Sequence, residues 1–295
     1  MSIWLALGVW VVEIVVIAAL AASRRGAVVG VWLAIALLPL PAFVVEPRWP
    51  LVALLILALV FAVFRAADLA TDRTLATFPR RLAHMPSLID RRRMTRVPPH
   101  FDWRALGRLV VATAITVAAL WVVAIADRYD DWRHYALRWY VGGGPLPFSI
   151  MAMLDGVLAL VLAPFGRTIP PVNRAPYLAT SLSDFWSRRW NSIINTLLRE
   201  HVYRPFANRG AVAAMTATFV ASAALHAYLV GMLLGTAATL AWIAFFLAQP
   251  ALMWVERRLR VRRWRPAWGR AWTLGALALL FPLFIEPVLV LFGQL

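Results

Sequence analysis

Long apolar stretches, separated by shorter segments rich in arginine, run the length of the chain. A helix needs about 20 such residues to cross a bilayer. Eight stretches qualify, at roughly 3–22, 27–45, 50–67, 108–126, 146–165, 211–233, 237–255 and 271–292. The second and third are short, and the break from Pro39 to Pro50 between them reads as a re-entrant corner. The pattern predicts an all-α, polytopic integral membrane protein with about eight transmembrane helices. The first stretch lacks a basic leader and is followed directly by Arg24 and Arg25, so it reads as a span and not as a cleaved signal.

Two segments depart from plain hydropathy. In the first, Ser181 and Asp184 have capping-box spacing for a helix start. From there Trp186, Trp190, Ile193, Ile194 and Leu197 share one helical face, and Arg188, Asn191, Asn195 and Arg199 the other. This predicts a basic amphipathic helix lying in the membrane interface and ending near Arg199-Glu200-His201. In the second, Thr218, Ser222 and His226 stand at i, i+4 and i+8 of an apolar span. An ionisable group at membrane depth is a candidate for function; the bland alternative is a hydrogen bond to a neighbouring helix.

Composition narrows the classes. The chain is 62% hydrophobic and 15% charged, against about 45–50% and 25% in soluble domains, which excludes a soluble globule. It has no cysteine, so disulfides, thiolate nucleophiles and Cys-ligated metal centres are excluded. All 30 basic residues are arginine, which excludes a P-loop lysine and Schiff-base chemistry. The net charge of +16 is an orientation signal more than a nucleic-acid footprint. Arginine concentrates in alternate loops, with ten in 65–108, seven in 166–210 and seven in 256–270. Basic loops prefer the cytoplasm, which places both termini outside. No repeat or flexible linker divides the chain, so 1–295 reads as one membrane domain.

Ser-Leu-Ser-Asp-Phe-Trp-Ser-Arg-Arg-Trp-Asn at 181–191, then Val202-Tyr203-Arg204-Pro205, then Phe219-Val-Ala-Ser-Ala-Ala-Leu-His226 resemble the wax-synthase branch of the membrane-bound O-acyltransferases. That branch carries Ser-Leu-x-Asp-Phe-Trp-Gly-Arg-Arg-Trp-Asn, followed by Ser-Gly-x-x-His-Glu. The resemblance covers about 181–230, with the histidine 35 residues after Asn191. Ser187 stands for the family's first Gly, Ala223 for the Gly before the histidine, and Ala227 for the Glu after it.

The resemblance implies acyl transfer from acyl-CoA to a lipophilic alcohol, with no metal and no cofactor beyond that co-substrate. A hydroxyl needs a positioned base. A buried imidazole is neutral and can accept a proton, which fits His226. Asn191 cannot titrate, so its carboxamide would orient the thioester or steady the oxyanion. Arg188 and Arg189 suit the phosphates of CoA, because the guanidinium fork binds two oxygens at once. Phe185, Trp186 and Trp190 would wall an acyl tunnel, and Ser222 joins them as a substrate contact. No Gly-x-Ser-x-Gly elbow is present, so a covalent acyl-enzyme is not expected. His226 lies about 16 residues into its span, or about 24 Å from the cytoplasmic end, so the donor must reach deep.

Two rival readings exist. Asp68 and Asp72, with Asp127, Asp130 and Asp131, could serve as the paired acidic clusters of a magnesium-dependent prenyltransferase, but the topology puts them on opposite faces. Pairing of Asp68 and Asp72 with Arg65 and Arg73 is the simpler expectation. A transporter would use the intramembrane carboxylates Glu13, Asp155 and Glu286. His84, His100, His134 and His201 show no metal-ligand spacing. The exclusive use of arginine points to a GC-rich bacterial genome, hence the cytoplasmic membrane.

Overall fold

A computed structural model describes residues 1–44, 49–71, 75 and 77–293. The chain is an all-α polytopic membrane protein. Among the described residues, thirteen α-helical segments follow one another: α1 (Ile3–Leu20), α2 (Arg24–Ala36), α3 (Trp49–Thr71), α4 (Phe78–His84), α5 (Trp103–Ala126), α6 (Trp132–Tyr135), α7 (Leu146–Leu162), α8 (Leu182–Asp184), α9 (Ser192–Leu198), α10 (Arg204–Phe206), α11 (Ala211–Leu234), α12 (Thr236–Arg258) and α13 (Pro266–Gly293). A two-residue antiparallel pair, β1 (Thr95–Arg96) with β2 (Arg167–Thr168), is the only sheet among the described residues.

Among the described residues, seven helical stretches are long and apolar enough to cross a membrane. The expected span 27–45 is the exception. It is built from α2, whose 13 residues reach about 20 Å, and a three-ten turn, Leu40–Phe43, that opens beside Pro39 and Pro41. The Met1 amine donates to the Phe43 carbonyl at 3.0 Å. Residue 43 thus returns to the level of residue 1, and 24–43 retraces the length of α1. Proline shortens the helix here because it lacks the amide that the ladder needs. Residues 45–48 of the predicted corner lie outside the described residues.

Local chemistry sets the helix starts. Ser2, Ser23 and Asp102 accept the backbone N–H groups of Leu5, Gly26 and Ala105, satisfying donors that a helix leaves open at its first turn. α1 to α4 pack around Ile14, Ile17, Ala18, Ala66, Leu69 and Met85. α11 to α13 pack around Met215, Phe219, Phe245, Phe246 and Met253, and Leu182 from the 181–191 segment joins them. α5 and α7 are tied by a buried hydrogen bond from Thr116 Oγ1 to Ser149 Oγ at 2.8 Å. Large apolar side chains such as Trp32, Trp121 and Leu279 face outward, as a lipid-facing surface allows. Tyr228 donates to the Leu38 carbonyl at 2.5 Å and joins α11 to the N-terminal helices.

Candidate active site

The 181–191 segment begins as its sequence predicts. Ser181 Oγ accepts the Asp184 N–H at 3.0 Å. The single amphipathic helix does not form, however. Residues Phe185–Arg189 widen into a π-helical turn, and the chain breaks at Trp190 and Asn191 before α9 begins. Asn191 takes the left-handed conformation, with φ 42°, which asparagine tolerates better than most residues. Its Oδ1 caps α9 by accepting the Ile194 N–H at 3.2 Å, and its own N–H donates to Asn173 Oδ1 at 2.8 Å. Helical spacing could not reveal this break, because the partners come from 171–174. Ser192 N–H donates to the Val172 carbonyl at 2.7 Å, and Val172 N–H donates to Asp155 Oδ1 at 3.1 Å.

Two α12 side chains that belong to no sequence motif hold the segment from the other side. Glu256, only 2% exposed, accepts the N–H groups of Leu182 at 2.5 Å and Ser183 at 3.4 Å. Gln249 Oε1, fully buried, accepts Trp186 Nε1–H at 3.0 Å. Seven residues separate the two on α12, so they share one face two turns apart. Their polarity inside an apolar span is the one signal in the sequence that could have found them. Replacing Glu256 with Ala leaves two N–H groups at the buried end without an acceptor, at a cost of about 1–3 kcal/mol. The midpoint of thermal unfolding of the detergent-purified protein should fall, and Glu256→Gln, which keeps an acceptor oxygen, should recover part of the loss.

The aromatic residues of the segment enclose space. Phe185 stacks on Trp190 with centroids 5.6 Å apart. With Trp186 they line a partly open cavity of about 190 Å³, which Phe148, Tyr140, Phe245 and the α13 residues Leu274, Leu277, Ala278, Phe281 and Phe284 also line. The lining is carbon almost throughout, which suits an unbranched chain.

His226 stands one aromatic layer away. Its ring stacks on Phe246 with centroids 4.0 Å apart and meets the edge of Trp242 at 4.9 Å. Phe246 in turn packs on Trp186, and Trp242 stacks on Phe284. His226 Nδ1 lies 2.7 Å from the Ser222 carbonyl. A carbonyl only accepts, so Nδ1 carries the proton and Nε2 of the neutral ring carries the lone pair. The stripe of Thr218, Ser222 and His226 is real, but Thr218 spends its hydroxyl on the Ala214 carbonyl. Asn191 and His226 share no hydrogen bond, and neither is among the residues lining this cavity.

Residues 169–247 match the model of the membrane bound O-acyl transferase family. The curated proteins that resemble the chain are named as O-acyltransferases. A protein of Arabidopsis thaliana named probable long-chain-alcohol O-fatty-acyltransferase is 32% identical over 42% of this chain and 40% of its own. An acyl-CoA–sterol O-acyltransferase of the same plant is 32% identical over 38% of this chain and 35% of its own. The long-chain-alcohol O-fatty-acyltransferase of Simmondsia chinensis is 32% identical over 36% of this chain and 29% of its own. The chain thus spans about half the length, or less, of the curated relatives it matches. The family match begins twelve residues before the resemblance read from 181–191 and so takes in Val172 and Asn173.

Arg188 and Arg189, the two adjacent arginines of 181–191, differ. Arg189 Nε donates to Asp184 at 2.6 Å, and its Nη1 reaches the carbonyls of Arg174 and Ala175. It closes the turn. Arg188 points outward and is exposed. Ser187, where the family has Gly, is also exposed, and its hydroxyl donates to the Ser183 carbonyl at 2.5 Å.

Of the carboxylates that a transporter would use, two are committed. Glu286 accepts from Arg138 at 2.8 Å and from Trp139 Nε1 at 2.8 Å, and Asp155 holds Val172 as described. Glu13 is buried, and neither of its oxygens has a hydrogen-bond partner among the described residues. Asp68 pairs with Arg65 at 2.8 Å as expected; Asp72 and Arg73 lie outside the described residues. Asp131 caps α6 through the Arg133 N–H and pairs with that side chain, in an exposed turn.

Asp68 also gathers residues distant in sequence. His84 Nε2 and His201 Nε2 each lie 3.0 Å from it, and Arg92 lies 2.9 Å away. Asp68, His84 and Asp90, and likewise Asp68, Glu200 and His201, are close enough to share a cation. Guanidinium groups already meet these oxygens: Arg92 also bonds Asp90 at 2.8 Å, and Arg93 pairs with Glu200. The cluster ties 199–203 to α3 and α4. Spacings of 16 and 133 residues along the chain hide it from motif reading.

Proposed function

We propose that the protein is a membrane O-acyltransferase that moves a fatty acyl group from acyl-CoA to the hydroxyl of a hydrophobic alcohol, as a wax ester synthase does. The observation that supports this most is the family match over 169–247, which spans the aromatic wall of the cavity, Asn191 and His226. The acyl chain fills the carbon-lined cavity. Its thioester lies at the wall of Trp186 and Phe245, behind which Phe246 and His226 stack, and the chain extends toward Tyr140 and Phe281. Ser222 holds His226 with Nε2 unprotonated.

Nε2 takes the proton of the alcohol as its oxygen attacks the thioester carbonyl. Asn191 Nδ2–H donates to the oxyanion that forms. The tetrahedral intermediate collapses to the ester and the CoA thiolate, which recovers the proton from the imidazolium. Arg188 meets a phosphate of CoA. The chain acts as one unit in the cytoplasmic membrane of a bacterium, with its arginine-rich loops inside and both termini outside.

Purified protein in lipid nanodiscs, given palmitoyl-CoA and hexadecanol, should release free CoA and hexadecyl palmitate in equal amounts. CoA release without ester, or neither product with any alcohol offered, contradicts the proposal. A second outcome concerns chain length. Ala278→Trp fills part of the cavity, so kcat/KM across donors from octanoyl- to stearoyl-CoA should shift toward shorter chains, by about fourfold for each methylene excluded at ~0.8 kcal/mol.

A further inference from the structure

Six of the 30 arginines, Arg65, Arg92, Arg93, Arg133, Arg138 and Arg189, pair with a carboxylate among the described residues. The turn from α12 to α13 gathers six others. Arg257, Arg258, Arg260, Arg262, Arg263 and Arg265 are all exposed. Among the described residues, no carboxylate oxygen lies within 4.0 Å of them. The nearest acid in sequence, Glu256, turns inward to the N–H groups of Leu182 and Ser183, although the Arg262 guanidinium is near enough to interact with it electrostatically. Arg257 and Arg258 have an ordinary explanation: they sit at the C-terminal turn of α12, where the helix dipole favours cations, and Arg258 lies over the Trp254 ring.

Arg260, Arg262 and Arg263 lie beyond that turn. Arg260 adopts the left-handed conformation, with φ 54°, at a place where helices ordinarily end on glycine. Strain of this kind persists where the surroundings fix it, often at binding sites. Val261, 1% exposed, pins the turn. Arg262 Nη2 donates to Ser183 Oγ at 2.6 Å, so its guanidinium lies against the start of the acyltransferase signature, about one helical turn before Arg188. The contact is close because α13 begins close: a Cβ on Gly269 would stand 2.5 Å from the Thr180 carbonyl oxygen. From this turn α12 and α13 lead to the cavity. Phe246, on which His226 stacks, lies ten residues, or about 15 Å, along α12 from Glu256.

We propose that Arg260, Arg262 and Arg263, with Arg188 opposite them, form a phosphate-binding site that holds the nucleotide end of the acyl donor at the mouth of the cavity. The proposal rests on the acyl-CoA reading above and gives its polar end a location. Forked guanidinium groups suit phosphate oxygens. The same chemistry would suit an anionic lipid headgroup, so the test separates the two.

The full chain in nanodiscs of phosphatidylcholine alone is titrated with CoA and with 3′-dephospho-CoA. The pair Arg262→Ala and Arg263→Ala should raise the Kd for CoA about tenfold or more, the loss expected for one hydrogen bond to a charged group, and the KM for acyl-CoA should rise with it. The parent should prefer CoA to its dephospho form, and the variant should lose that preference. Arg262→Lys, which keeps the charge without the fork, should fall between them. Arg133→Ala, in the short helix α6 outside this site, should leave CoA binding unchanged. CoA bound as tightly by the double variant as by the parent overturns the proposal. So does an effect confined to adsorption on vesicles containing phosphatidylglycerol, which would make the turn a headgroup contact. A parent that binds no CoA overturns both this site and the donor reading; a parent that binds CoA while the variant binds it equally overturns this site alone.

Discussion

His226→Ala should lower ester formation by about 10²–10⁴-fold, the range a positioned general base supplies, while the variant still folds and still binds acyl-CoA. His226 Nδ1 is bound to the Ser222 carbonyl within its own helix, so the ring has one free nitrogen, and that nitrogen carries the lone pair. The ring packs on Phe246 and Trp242 but makes no hydrogen bond to another helix among the described residues. The bland role for an intramembrane histidine, gluing two helices, therefore has no partner here. Removing the ring loses packing against two aromatics and leaves no cross-helix polar group unsatisfied. Turnover by the purified variant, measured beside its thermal unfolding and its Kd for acyl-CoA, checks this. A variant that turns over at the parental rate denies His226 a part in the chemistry, and one that no longer folds shows that its packing matters more.

Asn191→Asp should cost about 10²–10³-fold in kcat, the loss typical of one oxyanion donor, equivalent to about 2.7–4 kcal/mol. Asn191 has two separable functions. Its Oδ1 caps α9, and its backbone occupies a left-handed position. Aspartate keeps both, since it is as good a cap as asparagine and tolerates the same conformation. What it lacks is the Nδ2 donor, which is the atom assigned to the oxyanion. If Asn191 serves only as the cap and the turn, Asp should match the parent, whereas Asn191→Ala should lose about 1 kcal/mol of stability for the cap alone. The contrast between Asp and Ala, read as kcat on one axis and unfolding midpoint on the other, distinguishes the two roles.

Much of the fold was legible because lipid imposes length and apolarity on each spanning helix. α5, α11, α12 and α13 fall where hydropathy puts them. α2 was overestimated, because a window of apolar residues does not register that Pro39 and Pro41 turn the chain into a three-ten end. The N-cap of the 181–191 segment was legible as Ser181, but the single amphipathic helix that periodicity predicts over 181–199 is replaced by two short pieces. The break at Asn191 was not legible, because it is fixed by Asn173 and the Val172 backbone, and backbone partners leave no trace in side-chain spacing. The same reason hid Glu256, which serves two N–H groups 74 and 73 residues away. Ion pairing divided Arg188 from Arg189, a distinction that two identical adjacent residues cannot show.

The most direct test of the account is a structure of the protein with a non-reactive thioether analogue of acyl-CoA and a long-chain alcohol bound together. The account predicts the acyl chain against Phe185, Trp186 and Trp190, and the alcohol oxygen within about 2.6–3.2 Å of His226 Nε2. An acyl chain bound elsewhere, or an alcohol oxygen separated from Nε2 by the Phe246 ring, would contradict it.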